Sequence, residues 1–338
     1  MRSGRSTGVA LSALVAVAIG AIGFGVANIA PLDVLAIIGK SLFSLPIGNG
    51  ISAGSTSIIM EIRLPRILAA AAVGAALATS GAAFQSLLRN PLADPYVLGT
   101  SSGAALGAAI AFLLPITGIA WELGGVQLAA FIGALASVAL VWRIAGIGSG
   151  EERIASVLLV GYAVASLLAA ALSLVMLASG ANLRAIFGFL LGGLDGVTWP
   201  RLAAAAVPIA VATLLLARRG RALAAFLLGD EAATHLGIDV RRERRIAVAL
   251  ATIATASAVA LAGLVGFVGL VVPHLARLAV GSDPRAVLPL SAIGGALLLL
   301  LADTVARTIG VPVGVITALI GAPFLLWLLH RARAGYAL

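Results

Sequence analysis

The sequence predicts an all-α, polytopic integral membrane protein of about ten transmembrane helices, with both termini cytoplasmic and one domain over residues 1–338. Three observations carry that reading. Apolar residues make up 61% of the chain and charged residues only 10%, where a soluble domain holds roughly a quarter charged. Charge-free runs recur along the whole chain, most of them at or beyond the ~18 residues that mark a spanning helix. The arginines punctuate these runs rather than clustering on one soluble face, so the pI near 11.4 reads as membrane topology and not as nucleic-acid binding.

Taken in order, the first run, 9–30, follows Arg2 and Arg5 and so imitates a secretory signal peptide. It exceeds the ~7–15 residues of such an apolar core and is therefore the first span. Runs 67–88, 96–121, 123–142, 154–183 and 202–217 supply the second to sixth. Run 246–275 is too long for one helix and contains Gly263, Gly266, Gly269 and Pro273, which divides it into a full span and a shorter, broken one. Runs 286–302 and 308–329 complete ten. With the N-terminus inside, the basic residues left outside are Lys40, Arg63, Arg66, Arg184, Arg201 and Arg307, and the remaining sixteen of the 22 are cytoplasmic. That bias satisfies the positive-inside rule only for an even number of spans. Gly99, Gly103 and Gly107 recur at four-residue spacing, which lets helix backbones approach closely. Cysteine is absent, so disulfides and thiolate metal sites are excluded.

Asn90-Pro91-Leu92-Ala93-Asp94-Pro95, running on to Gly99 and Gly103, interrupts two apolar segments with prolines, polar groups and glycines. Irregular backbone at membrane depth survives only where protein or a water-filled cavity surrounds it, which points to a transport path. Gln85, Asn90, Pro91, Ser101 and Ser102 are its candidate lining, although helix capping explains Gln85 and Asn90 equally well. Gly39-Lys40-Ser41 resembles the end of a phosphate-binding loop, but Val34 stands where that pattern needs glycine, so no ATP site follows. His274 has no His, Asp or Glu at metal-ligand spacing, and no metal or catalytic site is assigned.

The longest polar stretch, about 218–245, contains Gly229-Asp230-Glu231-Ala232-Ala233-Thr234-His235-Leu236-Gly237, a short helix that Asp230 can cap and Gly237 can end. Ala232, Ala233 and Leu236 then form a small apolar face, fit for a cytoplasmic partner. On the outer side, Pro65 favours the first turn of a helix. Arg63 and Arg66 would then share a face at its positive end, where a cation is disfavoured by ~0.3–1 kcal/mol. An acidic group should compensate, supplied by a partner or internally by Glu61 with Arg63 and Asp303 with Arg307.

Several ordered blocks resemble the permease subunit of type II ABC importers, the family that takes up cobalamin, haem and ferric siderophores. They are Ile62-Arg63-Leu64-Pro65-Arg66, Gly81 with Gln85, the Asn90 to Pro95 block, Leu228-Gly229-Asp230 with Leu236-Gly237, the stretch from Gly266 through Pro273-His274, Leu301-Ala302-Asp303 with Arg307, and Pro312-Val313-Gly314-Val315 leading to Gly321-Ala322-Pro323. The resemblance implies a homodimer in the cell membrane with a substrate path along its two-fold axis, two cytoplasmic ATPase subunits, and an external substrate-binding protein. ATP and Mg would sit on the ATPase and no cofactor on this chain. It further implies that Asp230, Glu231, Ala232, Ala233, Leu236 and Gly237 form the coupling helix that docks on the ATPase. Arg63, Arg66 and Arg307 would meet glutamates of the binding protein. The family narrows its cytoplasmic exit with small polar residues at the start of the fifth span, whereas Arg153, Ile154, Ala155 and Ser156 stand here. An ATP-independent secondary transporter is the alternative, with Asp303 as its one candidate intramembrane acid; an intramembrane enzyme lacks a triad or metal motif.

Overall fold

The computed structural model describes residues 2–24, 29–43, 52–114, 124–145 and 151–333, and no strand occurs among them. In chain order the helices are α1 (Arg2–Gly23), α2 (Pro31–Phe43), α3 (Ala53–Leu87), α4 (Thr100–Leu113), α5 (Gly125–Ala145), α6 (Glu151–Ala178) and α7 (Leu183–Leu191). There follow α8 (Trp199–Arg218), α9 (Gly220–Leu227), α10 (Asp230–His235), α11 (Val240–Ala262), α12 (Val268–Val280), α13 (Pro284–Ile309) and α14 (Val313–Arg333). Eight are long and apolar enough to cross a membrane, namely α1, α3, α5, α6, α8, α11, α13 and α14. Among the described residues Gly180–Leu191, α4 and α12 are shorter apolar stretches, and counting α4 and α12 as short spans gives ten. At 1.5 Å per residue they cover only about 20 Å of the ~30 Å hydrocarbon core, and irregular backbone precedes each.

The 246–275 run divides as its composition requires: α11 ends at Gly263, with φ +66°, and α12 begins after Phe267. The open backbone is knitted to a second interruption, 192–198. Gly193 N–H donates to Ala262 O at 2.8 Å, Leu264 N–H to Phe189 O at 3.2 Å, and Gly314 N–H to Gly192 O at 3.3 Å. The Tyr96 hydroxyl adds a bond to Val265 O at 2.9 Å. Two breaks thus satisfy much of one another's backbone.

Pro65 does not begin a helix. The segment Ala53–Leu87 is continuous, with a π-helical turn at Ile58–Arg63 in which Leu64 N–H reaches back five residues to Ile59 O. Proline in an α-helix clashes with the carbonyl four residues earlier and leaves a bond unmade; the wider π turn absorbs both defects. Arg63 and Arg66 therefore lie within a helix and not at its positive end, so the dipole penalty expected from the sequence does not arise.

The centre of the bundle is α3, almost wholly buried from Pro65 to Leu87 and packed on α8, α11, α12 and α13. Small residues set that spacing: a methyl group on Gly74 would strike the Gly295 carbonyl of α13, and one on Gly103 the Gly133 carbonyl of α5. The helices α2, α7 and α9 appear in no sequence-derived span. Lys40 of the phosphate-loop look-alike sits exposed on α2, where helical backbone offers no cradle of N–H groups.

Candidate functional site

Four groups of residues were singled out by the sequence: three arginines, a short polar helix, a proline-rich break and a lone histidine. The arginines converge. Arg63, Arg66 and Arg307 line one recess of about 580 Å³ at the end of the bundle where α3 meets α13, together with Asp195, Val311 and Pro312. Arg66 Nε donates to both carboxylate oxygens of Asp303 at 3.0 and 3.1 Å, and its Nη1 reaches Asp195 at 2.5 Å. Asp303 is completely buried, whereas the Asp195 side chain is 79% exposed. Asp303 thus pairs across helices with Arg66 and not locally with Arg307.

The other two arginines serve α1. Its last carbonyls have no helical partner and carry the negative end of the helix dipole. Arg63, only 5% exposed, donates to Ile22 O at 2.6 Å and Gly23 O at 3.1 Å. Arg307 Nη2 donates to Ala21 O. Both guanidinium groups close the end of α1, and Arg307 stays half-buried at the rim of the recess.

At the opposite end, α9, α10 and the start of α11 form a compact polar unit. Gly229, with φ +102°, takes the N-cap position that the sequence assigned to Asp230. The Asp230 carboxylate instead pairs with Arg244 at 2.7 Å, and Arg244 lies 5.6 Å over the Phe226 ring. Gly237, at φ +78°, does end the helix: its N–H reaches Thr234 O at 2.9 Å while Ile238 N–H reaches Ala233 O at 3.1 Å, the paired bonds of a Schellman stop. The expected apolar face is redrawn, because Ala233 is completely buried in the subunit's own core and Ala232 half-buried. What faces outward is Leu236 at 63% exposure, with Leu227 and Leu228 of the preceding segment. Glu231 and Gly237 are exposed beside it.

The proline-rich break re-enters the bundle. Pro95 packs against Gly269 at the level of Leu77, and Ser137 of α5 donates to Gly99 O at 2.9 Å. Its polar backbone is satisfied locally by Ala93 N–H to Asn90 O, Val97 N–H to Asp94 O and Gly99 N–H to Tyr96 O. Gln85, 3% exposed, gives its amide hydrogens to Ala93 O and Gly269 O at 3.2 and 3.3 Å and accepts from Arg277 at 2.6 Å. It is thus a staple between α3, the break and α12, with no polar group left for a passing solute. Asn90 is exposed, Pro91 is half-buried, and Ser101 and Ser102 are half-buried in the first turn of α4. His274 packs edge-on against Phe324 at 5.7 Å. No group of three potential metal ligands occurs among the described residues.

Residues 10–331 match the FecCD transport family. The chain belongs to that family. It is 45% identical over 290 residues, covering 85% of this chain and 77% of the relative, to the cobalamin import system permease protein BtuC of Halobacterium salinarum. It is 40% identical over 282 residues, 82% of this chain and 84% of the relative, to the hemin transport system permease protein HmuU of Yersinia pestis. Among solved structures, an inward-facing conformation of a metal-chelate type ABC transporter superposes with a TM-score of 0.83 at 28% identity, covering 97% of this chain and 99% of that one.

As a FecCD protein the chain is a multi-pass cell-membrane permease subunit of an ABC importer; it is not itself an enzyme. The secondary-transporter alternative falls, and Asp303, its one candidate acid, is engaged by Arg66. At the departure from the family's gate pattern, the side chains of Arg153 and Ile154 lie outside the described residues, Ala155 is exposed and Ser156 half-buried. Sequence reasoning missed Asp195, which stands in a glycine-rich interruption and joins the recess only through the fold. It did not place Leu227 and Leu228 on the outward face, because they precede the short helix within the polar stretch 218–245.

Proposed function

We propose that this permease works as one of two identical subunits with two cytoplasmic ATPase subunits, which carry the ATP and Mg, and an external binding protein that delivers the cargo. The cargo we propose is a metal chelate of the tetrapyrrole class, cobalamin before haem, with ferric siderophores next. The relative at 45% identity is named for cobalamin import and the one at 40% for hemin transport, which supports that order.

One observation carries the assembly: the two ends of a single bundle carry different partner chemistry. One end holds a recess lined by three arginines and Asp195, with Asp303 buried behind Arg66, a net positive socket for an acidic protein surface. The other end presents exposed Leu227, Leu228 and Leu236 on and beside a capped short helix, the kind of small apolar knob that an ATPase groove would receive. Docking at the outer end falls to Arg307 and Arg66, with Arg63 on the recess wall as their support. The path would run along the dimer axis past Asn90, Pro91, Ser101 and Ser102. ATP binding and hydrolysis on the partners would then rock the two bundles between outward- and inward-open states.

Reconstitution tests this reading. In proteoliposomes, uptake of cobalamin should require the ATPase chain, the binding protein and ATP together. Uptake by the permease alone under an ion gradient would overturn it, and uptake of haem but not cobalamin would move the cargo assignment one step down the order.

A further inference from the structure

A second recess, of about 280 Å³, opens at the inner end and is lined by Arg89, Arg277, Gln85, Ser86, Asn90 and Ser282, with Pro91, Pro284 and apolar side chains completing the wall. Two guanidinium groups contribute to it and no carboxylate does. Arg277 makes no ion pair among the described residues; its recorded partner is the neutral Gln85 oxygen at 2.6 Å. Because Gln85 gives both amide hydrogens to backbone carbonyls, its oxygen is fixed toward Arg277 and the cation is held in place without being neutralised. Asn90 accepts from Leu92 N–H at 2.9 Å through its side-chain oxygen, which leaves its amide N–H groups to donate. Asp283, the nearest carboxylate along the chain, is taken by Arg285 at 2.9 and 3.0 Å, and that bond holds it below the usual carboxylate range.

Arg89 adds a constraint of its own. It sits at φ +49°, a left-handed conformation unusual for arginine. Arg277 carries its charge into a recess whose lining holds no carboxylate, and partial burial magnifies the cost of leaving that charge uncompensated. A tetrahedral oxyanion removes it, since guanidinium groups pair with phosphate oxygens in forked, charge-assisted bonds. The volume falls just below the ~300–1,000 Å³ of pockets for drug-sized ligands, which suits one small anion or headgroup.

We propose that this recess binds a phosphate-class oxyanion between Arg89 and Arg277, drawn from an anionic lipid headgroup or from free phosphate. The site joins the end of α3, the re-entrant break, α9 and the α12–α13 turn. Arg89 also approaches Gly229, where α10 starts, so an occupant would brace the segment beside the exposed leucines.

The test uses the full chain in nanodiscs at constant ionic strength. One arm titrates radiolabelled inorganic phosphate in both phosphatidylcholine and phosphatidylglycerol discs. The other compares phosphatidylcholine with phosphatidylglycerol discs and counts retained lipid by native mass spectrometry. We expect saturable binding of one of these probes per chain, weakened at least tenfold in Arg277→Gln and several-fold in Asn90→Ala. Arg241→Gln, an exposed arginine at the start of α11 and outside the recess lining, should bind as wild type. Phosphate binding in both lipid backgrounds identifies free phosphate as the source; retained phosphatidylglycerol that phosphate does not displace identifies lipid. Should Arg277→Gln fail to fold, Arg277→Lys and Asn90→Ala carry the test. Equal binding by wild type, Asn90→Ala and the Arg277 variants, or no binding of either probe to wild type, overturns the proposal.

Discussion

Arg66 offers a controlled comparison, because one guanidinium holds two carboxylates of opposite exposure. Replacing Asp303 with Asn keeps the side-chain shape while removing the charge and exchanging one acceptor oxygen for an N–H donor. Asp303 is wholly buried, accepts two bonds from Arg66 Nε at 3.0 and 3.1 Å and lies 2.9 Å from Nη2, while the Arg66 side chain is 14% exposed. Removing one partner of a buried pair strands the other charge and costs ~3–5 kcal/mol. Asp195 still touches Arg66, so Asp303→Asn should fall at the lower end, about 3 kcal/mol. Asp195→Asn breaks a contact of 2.5 Å that is shorter than any of these. Its carboxylate is nevertheless 79% exposed, and exposed pairs are worth ~0–1 kcal/mol. Distance alone ranks Asp195 first; burial ranks Asp303 first by at least about 2 kcal/mol. Denaturant unfolding of the purified permease in mild detergent, followed by tryptophan fluorescence, separates the rankings. Equal losses, or a larger loss for Asp195→Asn, would refute the burial reasoning. A double-mutant cycle with Arg66→Gln then isolates the pair term from the cost of the stranded charge.

Two further outcomes follow from the ends of the bundle. Leu236→Asp should release the ATPase from detergent-purified complex by a few kcal/mol while the permease unfolds as wild type. Ala233→Glu, which buries a charge in the subunit's own core, should destabilise the permease itself; if both variants merely lose the ATPase, the redrawn face is wrong. Arg307→Glu should slow docking of the binding protein, an effect that fades as salt shortens the ~8 Å Debye length. Asp195→Asn should quicken the same step, and docking rates unchanged in both variants would remove the recess as the docking site.

The transmembrane architecture was legible because it depends on local, additive quantities. Length and apolarity place the eight long helices, and the glycines at 263 and 266 mark the break before α12. The short helices α2, α7 and α9 escaped, since Asp33 and Lys40 interrupt the first and the others lie within or beside longer apolar stretches. Pro65 was misread for a specific reason. Proline favours the first turn of an α-helix, and nothing in the one-dimensional pattern announces a π turn that carries the helix through it.

The site residues divide along the same line. Gly237 was readable as a helix stop because a Schellman motif is made within six residues of chain. That the arginines need compensation was readable, although on a helix-end penalty that the structure does not bear out; burial of Arg63 and of the Arg66–Asp303 pair is what requires it. Their compensators were not readable. Arg63 and Arg307 are answered by the carbonyls of Ala21, Ile22 and Gly23, and a backbone carbonyl is present at every residue, so it leaves no mark in a sequence. A helix end far away in the chain becomes an electrostatic partner only once packing brings it to the cation. Charge patterning therefore identifies that a compensating group exists, and tertiary structure alone decides whether that group is a side chain, a helix terminus or another protein.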